Sequence, residues 1–219
     1  MGTPAELSAD EIRVWSAAVD VSARALERLW ATLAEDERER ASRFAQDGDR
    51  RRFIARRGFR RFVLARYVGC EPAAVRFTRA PSGKPGLDDG ELCFSCSHSR
   101  GLALVAVTRG RRVGVDVECV RPVRDASAIA ESLFAERERA SVVATRPARR
   151  DHRFLSIWTR KEALVKGTGE GLRRALDSFE ATGRGTPAGW SLVDLAPTPE
   201  HVGAVAAEGT GWRVRYHEL

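Results

Sequence analysis

The chain has 219 residues, of which 43% are hydrophobic and 31% charged, and it carries a net charge of +7. This composition excludes a disordered chain, and no segment approaches the roughly 18 consecutive apolar residues of a membrane-spanning helix. Because the N-terminal residues also lack the order of a signal peptide, we expect a globular cytoplasmic protein, built as one large domain or two small halves.

The basic residues are nearly all arginines: of the 37, only Lys84, Lys161 and Lys166 are lysines. A positive charge of this size suits nucleic acid, a polyanionic cofactor or an acidic protein partner, and it does not choose among them. The three lysines are candidates for positions that require a compact, titratable ammonium group.

The first part of the chain predicts a strand, two helices and a series of short strands. Residues 12–20 favour a strand that leads into a helix with an apolar stripe, and a charged turn then precedes a second helix that ends near Gly69. Turn sequences rich in Gly and Pro separate the strands that follow, which we place at 75–80, 91–97, 102–108 and 112–118.

The second part returns to helix from Asp125 to Lys166, and Pro147 precedes a long helix predicted to stop at Gly167. Residues 119–150 lack a strong apolar stripe, which indicates a mobile connector or a surface facing a partner. Strands are expected at 178–182, 190–195, 202–207 and 212–217. Two runs of helices followed by strands predict a duplicated α+β architecture with a boundary near residue 109.

Two carboxylates lie on one face of the strand in GVDVE, residues 114–118. The period of two puts Asp116 and Glu118 together while Val115 and Val117 face the core. Like charges this close raise each other's pKa unless a cation lies between them, and hard oxygen ligands suit Mg²⁺. The alternative is a pair of solvated acids at a strand edge.

A second cluster lies on the predicted long helix, where Trp158, Glu162 and Lys166 are spaced by four and share one face. Glu162 could complete a three-carboxylate magnesium site or act as a general base, and Lys166 could reach phosphate oxygens or protonate a leaving group. An ordinary salt bridge between the two explains the spacing equally well if both are exposed.

Two turn segments offer groups for an anionic ligand. SCSHS, residues 95–99, ends a strand with hydroxyls and an imidazole, and GKPG presents Lys84 on a loop. A catalytic triad at His98 is disfavoured because no GxSxG elbow is present, and a P-loop is absent. The CxxC formed by Cys93 and Cys96 has no partner pair at zinc spacing, which favours structural thiols.

The segments GKP, FSCSHS, GVDVE and WTRKEALVKGTGEGL, in this order, resemble the signatures of the Sfp-type 4'-phosphopantetheinyl transferases. The resemblance implies an α+β fold of two similar halves related by pseudo-twofold symmetry, with the active site in the cleft between them. It implies that residues 1–108 form an N-terminal half with the nucleotide contacts, and that residues 109–219 form a C-terminal half with the magnesium site and the catalytic helix.

The resemblance also implies the reaction. The 4'-phosphopantetheine group of coenzyme A would pass to a serine of an apo acyl or peptidyl carrier protein of fatty-acid, polyketide or nonribosomal peptide synthesis, releasing adenosine 3',5'-bisphosphate. Magnesium would be the metal, and the fused two-half form is expected to act as a monomer without nucleic acid or membrane.

By motif position the resemblance assigns roles to individual residues. Asp116, Glu118 and Glu162 would hold the metal, and Glu162 would also deprotonate the carrier serine, directly or through a water. Lys166 would contact the phosphates and assist the leaving group. The contacts to the nucleotide end of coenzyme A would come from Lys84, Ser97 and His98, and from the less sharply patterned Arg43 and Arg52.

Two other functions remain open from the residues alone. The Arg-rich face between Arg50 and Arg66 would suit a nucleic-acid-binding protein, which steeply salt-dependent DNA binding without coenzyme A binding would favour. An inactive relative that serves as a binding module is the second alternative, and the presence of every acid expected of the active family argues against it.

Overall fold

A computed structural model describes residues 5–88, 90–171 and 175–219. The first nine elements are β1 (Glu11–Ala18), α1 (Ala23–Ala31), α2 (Glu35–Ser42), α3 (Asp47–Val68), β2 (Phe77–Arg79), β3 (Pro85–Leu87), β4 (Leu92–Ser99), β5 (Leu102–Arg109) and β6 (Val113–Cys119). The others are α4 (Ala126–Leu133), α5 (Glu136–Ala144), α6 (Pro147–Thr168), β7 (Trp190–Thr198), β8 (His201–Glu208) and β9 (Arg213–Glu218).

Two main sheets organise the described residues. One has the strand order β4-β5-β1-β9 and the other β6-β8-β7, while β2 and β3 form a separate hairpin. In each main sheet an early strand pairs antiparallel with the second strand of a later hairpin: β1 with β5, and β6 with β8. The order of one strand, three helices and a hairpin thus occurs twice, and β9 returns to pair in parallel with β1. The predicted α+β fold class is confirmed.

The core lies between the sheets and on their outer faces. Ile12 and Val14 of β1 pack in one cluster with Val115 and Val117 of β6, so the two sheets face each other. Helices α1 and α3 cover the outer face of the first sheet through a second cluster. Helix α6 covers the second sheet, where Leu164 packs with alanines of β8. Four layers result, and the long helices α3 and α6 are the outer ones.

The charged segment predicted as a turn forms helix α2, so that prediction was wrong. The helix is held by a buried carboxylate and not by an apolar stripe: Glu37 is only 6% exposed. Its Oε1 accepts a hydrogen bond from Arg60 at 2.8 Å, and its Oε2 accepts one from Arg61. A pattern based on hydrophobic residues misses a helix that is stabilised by ions from the next helix.

Residues 119–150 contain α4 and α5, as the helical pattern from Asp125 predicts, so the alternative of a mobile connector was wrong and that of a surface facing a partner stays a prediction. Phe134 and Val142 are buried against Phe154 of α6, which gives the segment a core of its own. No strand forms in the described segment 178–182, because its backbone groups bind side chains instead. The Ala181 N–H donates to Glu138 at 2.6 Å, and the Phe179 carbonyl accepts from Lys161 at 2.6 Å.

Helix α6 begins with Pro147 in its first turn and ends at Thr168, one residue beyond the predicted stop. Gly169 follows with φ of 76°, a left-handed conformation that favours glycine. Leu172, the last residue of the motif that continues from this helix, lies outside the described residues. Among the described residues, no helix combines the length and apolarity needed to cross a membrane.

Candidate active site

The two predicted catalytic segments meet because β6 and α6 approach at a pair of glycines. A Cβ atom on Gly114 would collide with the carbonyl oxygen of Ala163 and the backbone nitrogen of Gly167. Since neither glycine has a side chain, the helix backbone lies directly on the strand. This close approach brings Asp116 of β6 within reach of Lys166, one residue before Gly167.

Asp116 lies at the base of the site and is only 5% exposed. Its Oδ1 accepts hydrogen bonds from Lys166 Nζ and from Ser97 Oγ, each at 2.6 Å. Its Oδ2 is buried and has no hydrogen-bond partner among the described residues. Glu118 is half-buried and accepts a hydrogen bond from Ser99 Oγ at 2.8 Å. The strand carboxylates are therefore built into the fold and are not simply solvated.

Glu162 faces the same region from the helix. Burial raises the pKa of its carboxyl group, the charge of Asp116 raises it further, and Lys166 opposes both. The Glu118 charge also raises this pKa, so both strand acids act on Glu162. Within the described ranges, however, no three His, Cys, Asp or Glu side chains are arranged as a metal site. Here the Lys166 ammonium group occupies Asp116 Oδ1.

A cavity of about 720 Å³ opens above this cluster. Trp158, Glu162 and Lys166 line it together, as their spacing on one helix face predicts, and Lys84 lines it from the other half of the chain. Phe94 and Leu176 give it an apolar wall. A cavity with an apolar wall and convergent charged groups is the usual form of a substrate site.

Lys84 crosses between the two sheets. Its Nζ donates to the carbonyl oxygens of Val113 and Gly167, each at 3.0 Å. Burial lowers the pKa of this ammonium group to about 8. Lys84 therefore ties its loop to β6 and to the end of α6 while it faces the cavity.

Lys161 has a different position from the other two lysines. It is fully buried, and its Nζ donates to Leu176 O at 2.7 Å, to Phe179 O at 2.6 Å and to a carboxylate oxygen of Glu138 at 2.7 Å. The three N–H groups of an ammonium thus have three acceptors, which explains why Lys is present here in a chain so rich in Arg. Lys161 is a structural residue that holds the loop after α6.

A second cavity of about 390 Å³ is strongly basic. Ser97 and His98 line it with four arginines that the sequence reasoning missed: Arg40, Arg56, Arg57 and Arg60. Arg56 contacts the His98 ring nitrogen, and the pKa of His98 is lowered to about 4, first by burial and then by Arg56 and Lys166. In the sequence, these arginines show only the spacing of four between Arg56 and Arg60, which places both on one helix face. That spacing does not tell whether the face is directed toward His98.

The two arginines named from the sequence lie in different surroundings. Arg52 lines a neighbouring cavity with Arg56 and His98, and its Nε donates to Asp20 at 2.9 Å. Arg43 is at the end of α2, where its side chain is 78% exposed and forms an ion pair with Glu39 at 3.6 Å. In the described part of the chain, Arg43 does not line either basic cavity.

An α+β fold with a cluster of acids beside a basic cavity suits an enzyme that acts on a phosphorylated substrate. Comparison with protein families identifies the class. Residues 112–213 match the model of the 4'-phosphopantetheinyl transferase superfamily, and residues 17–109 match the model described as 4'-phosphopantetheinyl transferase, N-terminal.

Individual relatives agree with the family models. The chain is 38% identical over 220 residues to the 4'-phosphopantetheinyl transferase HetI of Nostoc sp., covering 96% of this chain and 93% of the relative. It is 28% identical to the 4'-phosphopantetheinyl transferase Sfp of Bacillus subtilis, covering 70% of this chain and 67% of the relative. The chain therefore belongs to the 4'-phosphopantetheinyl transferase superfamily.

Membership confirms the resemblance and the enzyme class predicted from the sequence. The reaction is the transfer of phosphopantetheine from coenzyme A to carrier proteins, and the nucleic-acid alternative is not supported. The roles of individual residues, the metal and the choice of carrier are proposals.

Proposed function

We propose that this transferase uses Mg²⁺ held by Asp116, Glu118 and Glu162, with Glu162 as the base and Lys166 on the phosphates. One observation carries the proposal: Asp116 Oδ2 is buried beside Lys166 and has no hydrogen-bond partner among the described residues. Leaving a buried carboxylate oxygen unpaired is costly, so an oxygen in this position suits a cation that binds during the reaction.

The chemistry of the donor set fits magnesium. Three carboxylates are hard oxygen ligands. Burial first, and then the charges of Asp116 and Glu118, raise the pKa of Glu162, and a divalent cation would relieve the repulsion between these charges. When bound, Mg²⁺ would neutralise charge on the pyrophosphate of coenzyme A. Lys166 must release Asp116 for a cation to bind Oδ1, and its freed ammonium group can then bind phosphate oxygens.

Glu162 is suited to take the proton of the carrier serine hydroxyl. Its carboxylate is half-buried beside the cavity, where it can accept a hydroxyl proton directly or through a water. The carboxylate lines the large cavity one helical turn from Lys166, so a base and a cation face the same space. Lys166 would stabilise the charge that develops on the departing bisphosphate.

We assign the nucleotide end of coenzyme A to the basic cavity. Ser97 and His98 line this cavity, Arg52 lines the neighbouring cavity, and Lys84 faces the adjoining large cavity. These four contacts are retained from the sequence, and Arg43 is retained as a peripheral contact. The arginines found in the structure are added to them: Arg40, Arg56 and Arg57. A low pKa keeps His98 neutral, so it would bind as a hydrogen-bond partner, and the guanidinium groups would supply the charge.

We propose that residues 1–108 and 109–219 act as two halves around this site. The repeat of element order supports a division at this point, because β5 ends at Arg109 and β6 begins at Val113, while β9 of the second half returns to pair with β1 of the first. We further propose that the protein works as a monomer on acidic acyl or peptidyl carrier proteins in the cytoplasm. The net charge of +7 supports the choice of partner, and the free thiols of Cys70, Cys96 and Cys119 suit a reducing compartment.

The direct test is to incubate the protein with coenzyme A, Mg²⁺ and a set of apo carrier proteins and to measure each carrier by mass spectrometry. We expect a mass increase of one phosphopantetheine group on at least one carrier, and its loss when Mg²⁺ is chelated. A full rate in the presence of chelator would refute the metal proposal.

The base is tested by Glu162→Gln, which keeps the shape of the side chain but removes its charge. We expect the transfer rate to fall by about 10²–10⁴-fold while coenzyme A still binds, as measured by calorimetry. The matched control is Glu27→Gln, at an exposed position of α1 far along the chain from the site, which should transfer at the wild-type rate. Normal transfer by Glu162→Gln would exclude this glutamate as the base.

A further inference from the structure

Three serines of β4 join the edges of the two main sheets. The hydroxyl oxygens of Ser95, Ser97 and Ser99 accept hydrogen bonds from the backbone N–H groups of Val115, Val117 and Cys119, at 3.1, 3.4 and 3.1 Å. Strand β6 is an edge strand of its sheet, and its outward N–H groups need acceptors. In a continuous sheet, the backbone carbonyl groups of a neighbouring strand would be these acceptors. Here the acceptors are the serine hydroxyls of β4.

The serine positions match the acids in register. Ser97 accepts from Val117 and donates to the preceding residue, Asp116, at 2.6 Å. Ser99 accepts from Cys119 and donates to the preceding residue, Glu118, at 2.8 Å. For Ser95 the corresponding preceding residue is Gly114, which has no side chain. The alternation SxSxS on β4 therefore faces GxDxE on β6.

Ser99 is fixed from both ends. Its hydroxyl has a single hydrogen, so a bond accepted from Cys119 and a bond donated to Glu118 define its rotamer and its proton position together. Its carbonyl oxygen accepts a hydrogen bond from Nε2 of His201 at 3.2 Å, which requires the proton on that nitrogen. His201 is itself buried, and its Nδ1 is paired with Thr198 Oγ1 at 2.8 Å.

We propose that Ser99 is a positioning residue that orients the Glu118 carboxylate for the divalent cation. The inference rests on the proposed function, in which Glu118 is a metal ligand. Glu118 is half-buried with several rotatable bonds, and Arg121 lies 4.0 Å from the same Oε2 that Ser99 holds. The Ser99 hydroxyl fixes this oxygen against the strand, leaving its other lone pair and Oε1 available. Ligands held by such outer hydrogen bonds typically bind metal about 10–100-fold more tightly.

Ser97 has a related contact but is a less clean probe. Its hydroxyl also accepts from Lys166 Nζ at 3.1 Å, so a substitution there would change an acid and a cation at once. Ser99 touches one proposed ligand, and Ser95 touches none, although all three serines form the same bond to the β6 backbone. Ser95 is therefore a matched control for Ser99 within the same row of serines.

The test measures metal binding without turnover. Mn²⁺, which accepts the same carboxylate ligands, is titrated into the protein in the presence of coenzyme A and without a carrier, and free Mn²⁺ is followed by electron paramagnetic resonance. We expect Ser99→Ala to weaken Mn²⁺ binding by about 10-fold or more. Ser99→Thr keeps the hydroxyl and should bind Mn²⁺ within about threefold of wild type. Ser95→Ala should lower the melting temperature through the unpaired Val115 N–H but bind Mn²⁺ normally.

A double-mutant cycle separates positioning from general loosening. In a Glu118→Gln background, Ser99→Ala should cause no further loss of Mn²⁺ affinity, because the group that Ser99 orients no longer binds as a carboxylate. Equal weakening by Ser99→Ala and Ser95→Ala, or additive losses in the cycle, would overturn the positioning role alone. Absence of any Mn²⁺ binding by the wild-type protein would overturn the metal site and this role together.

Discussion

Lys84 is predicted to set an alkaline limit on the reaction. Burial lowers its pKa to about 8; nearby Cys93 and Glu208 raise it, and Arg112 lowers it. Below this value the ammonium group is charged and attracts phosphate, and above it the attraction is lost. We therefore expect kcat/KM for coenzyme A to fall as the pH rises through about 8, measured as a pH profile at saturating carrier.

The control is Lys84→Arg, whose guanidinium group keeps its charge throughout this range, so the alkaline decline at about 8 should disappear. A decline that persists unchanged would assign it to another group. The same shift has a consequence for stability: the unfolded chain keeps this proton up to 10.5, so the Lys84 contribution to the free energy of unfolding increases between about 8 and 10.5.

Lys161 is predicted to matter for stability. Replacing it by Met leaves the Glu138 carboxylate buried without its cation and removes the hydrogen bonds that Lys161 donates to the Leu176 and Phe179 carbonyls. Breaking a buried pair in this way costs about 3–5 kcal/mol. Urea unfolding should report that loss. The double variant Lys161→Met/Glu138→Leu should recover part of it, and a double variant as unstable as the sum of the single ones would contradict the pairing.

The individual site residues were predictable to different degrees. The local spacing of two or four residues was enough to group the acids Asp116, Glu118 and Glu162 with Lys166. The folded strand and helix keep that spacing, so each pair lies on one face of its element. The contact of Ser99 with Glu118 was not predictable, because it depends on how two edge strands of different sheets meet. Local spacing gives the face of an element, and only the tertiary structure gives what that face meets.

At the scale of elements, the contact between β6 and α6 depends on Gly114. An added methyl group would meet the helix backbone at Ala163 and Gly167, which cannot move aside as a flexible side chain can. We expect Gly114→Ala to lower the free energy of unfolding by about 1–3 kcal/mol or more and to reduce transfer, since it separates Asp116 from Lys166. Chemical denaturation and the carrier mass assay measure the two effects.

The matched control is Gly48→Ala, near the start of α3, where an added Cβ has no neighbour within 4 Å among the described atoms. Alanine is the better helix former, so this variant should be more stable by about 0.5–1 kcal/mol, with unchanged transfer. If Gly114→Ala and Gly48→Ala had the same free energy of unfolding, the close approach of β6 and α6 would not explain why residue 114 is a glycine.

Helix α2 was not predicted and α5 lies within the stretch 125–166 that was predicted as helical, but the two helices are stabilised in the same way. Helices α2 and α5 have no apolar stripe, and each buries a glutamate at its third position: Glu37 or Glu138. Each carboxylate accepts a hydrogen bond from the backbone N–H of the alanine before its helix. Each also forms an ion pair with a basic side chain of the long helix that follows, Arg60 or Lys161. Strongly apolar strands and long helices were predictable, whereas α2, which depends on a buried ion and follows no helical pattern, requires knowledge of its partner.

At the scale of the whole molecule, the two runs of one strand, three helices and a hairpin each contain a helix held by a buried glutamate. The two runs differ in how their first strands, β1 and β6, are covered. Strand β1 is covered by β9 through backbone hydrogen bonds, while β6 is covered by the serines of β4. Side-chain hydroxyls bring polar groups to the β6 edge, where the acids lie. A fold whose order of elements repeats can therefore carry a single proposed site, because of β1 and β6 only β6 combines Asp and Glu with a polar neighbour.

The net charge of +7 predicts how the molecule meets its partner. Attraction between a basic protein and an acidic carrier speeds encounter, and salt weakens it as the Debye length falls from about 10 Å at 0.1 M to about 3 Å at 1 M. At saturating coenzyme A, we expect kcat/KM for an acidic carrier to fall by about tenfold or more across this range, with kcat nearly constant. For a carrier whose surface acids are replaced by their amides, kcat/KM at low salt should be lower than for the acidic carrier and should change little as salt is added. The same steep response from both carriers would mean that salt acts on the catalytic site, and that the charge of this chain does not guide the carrier.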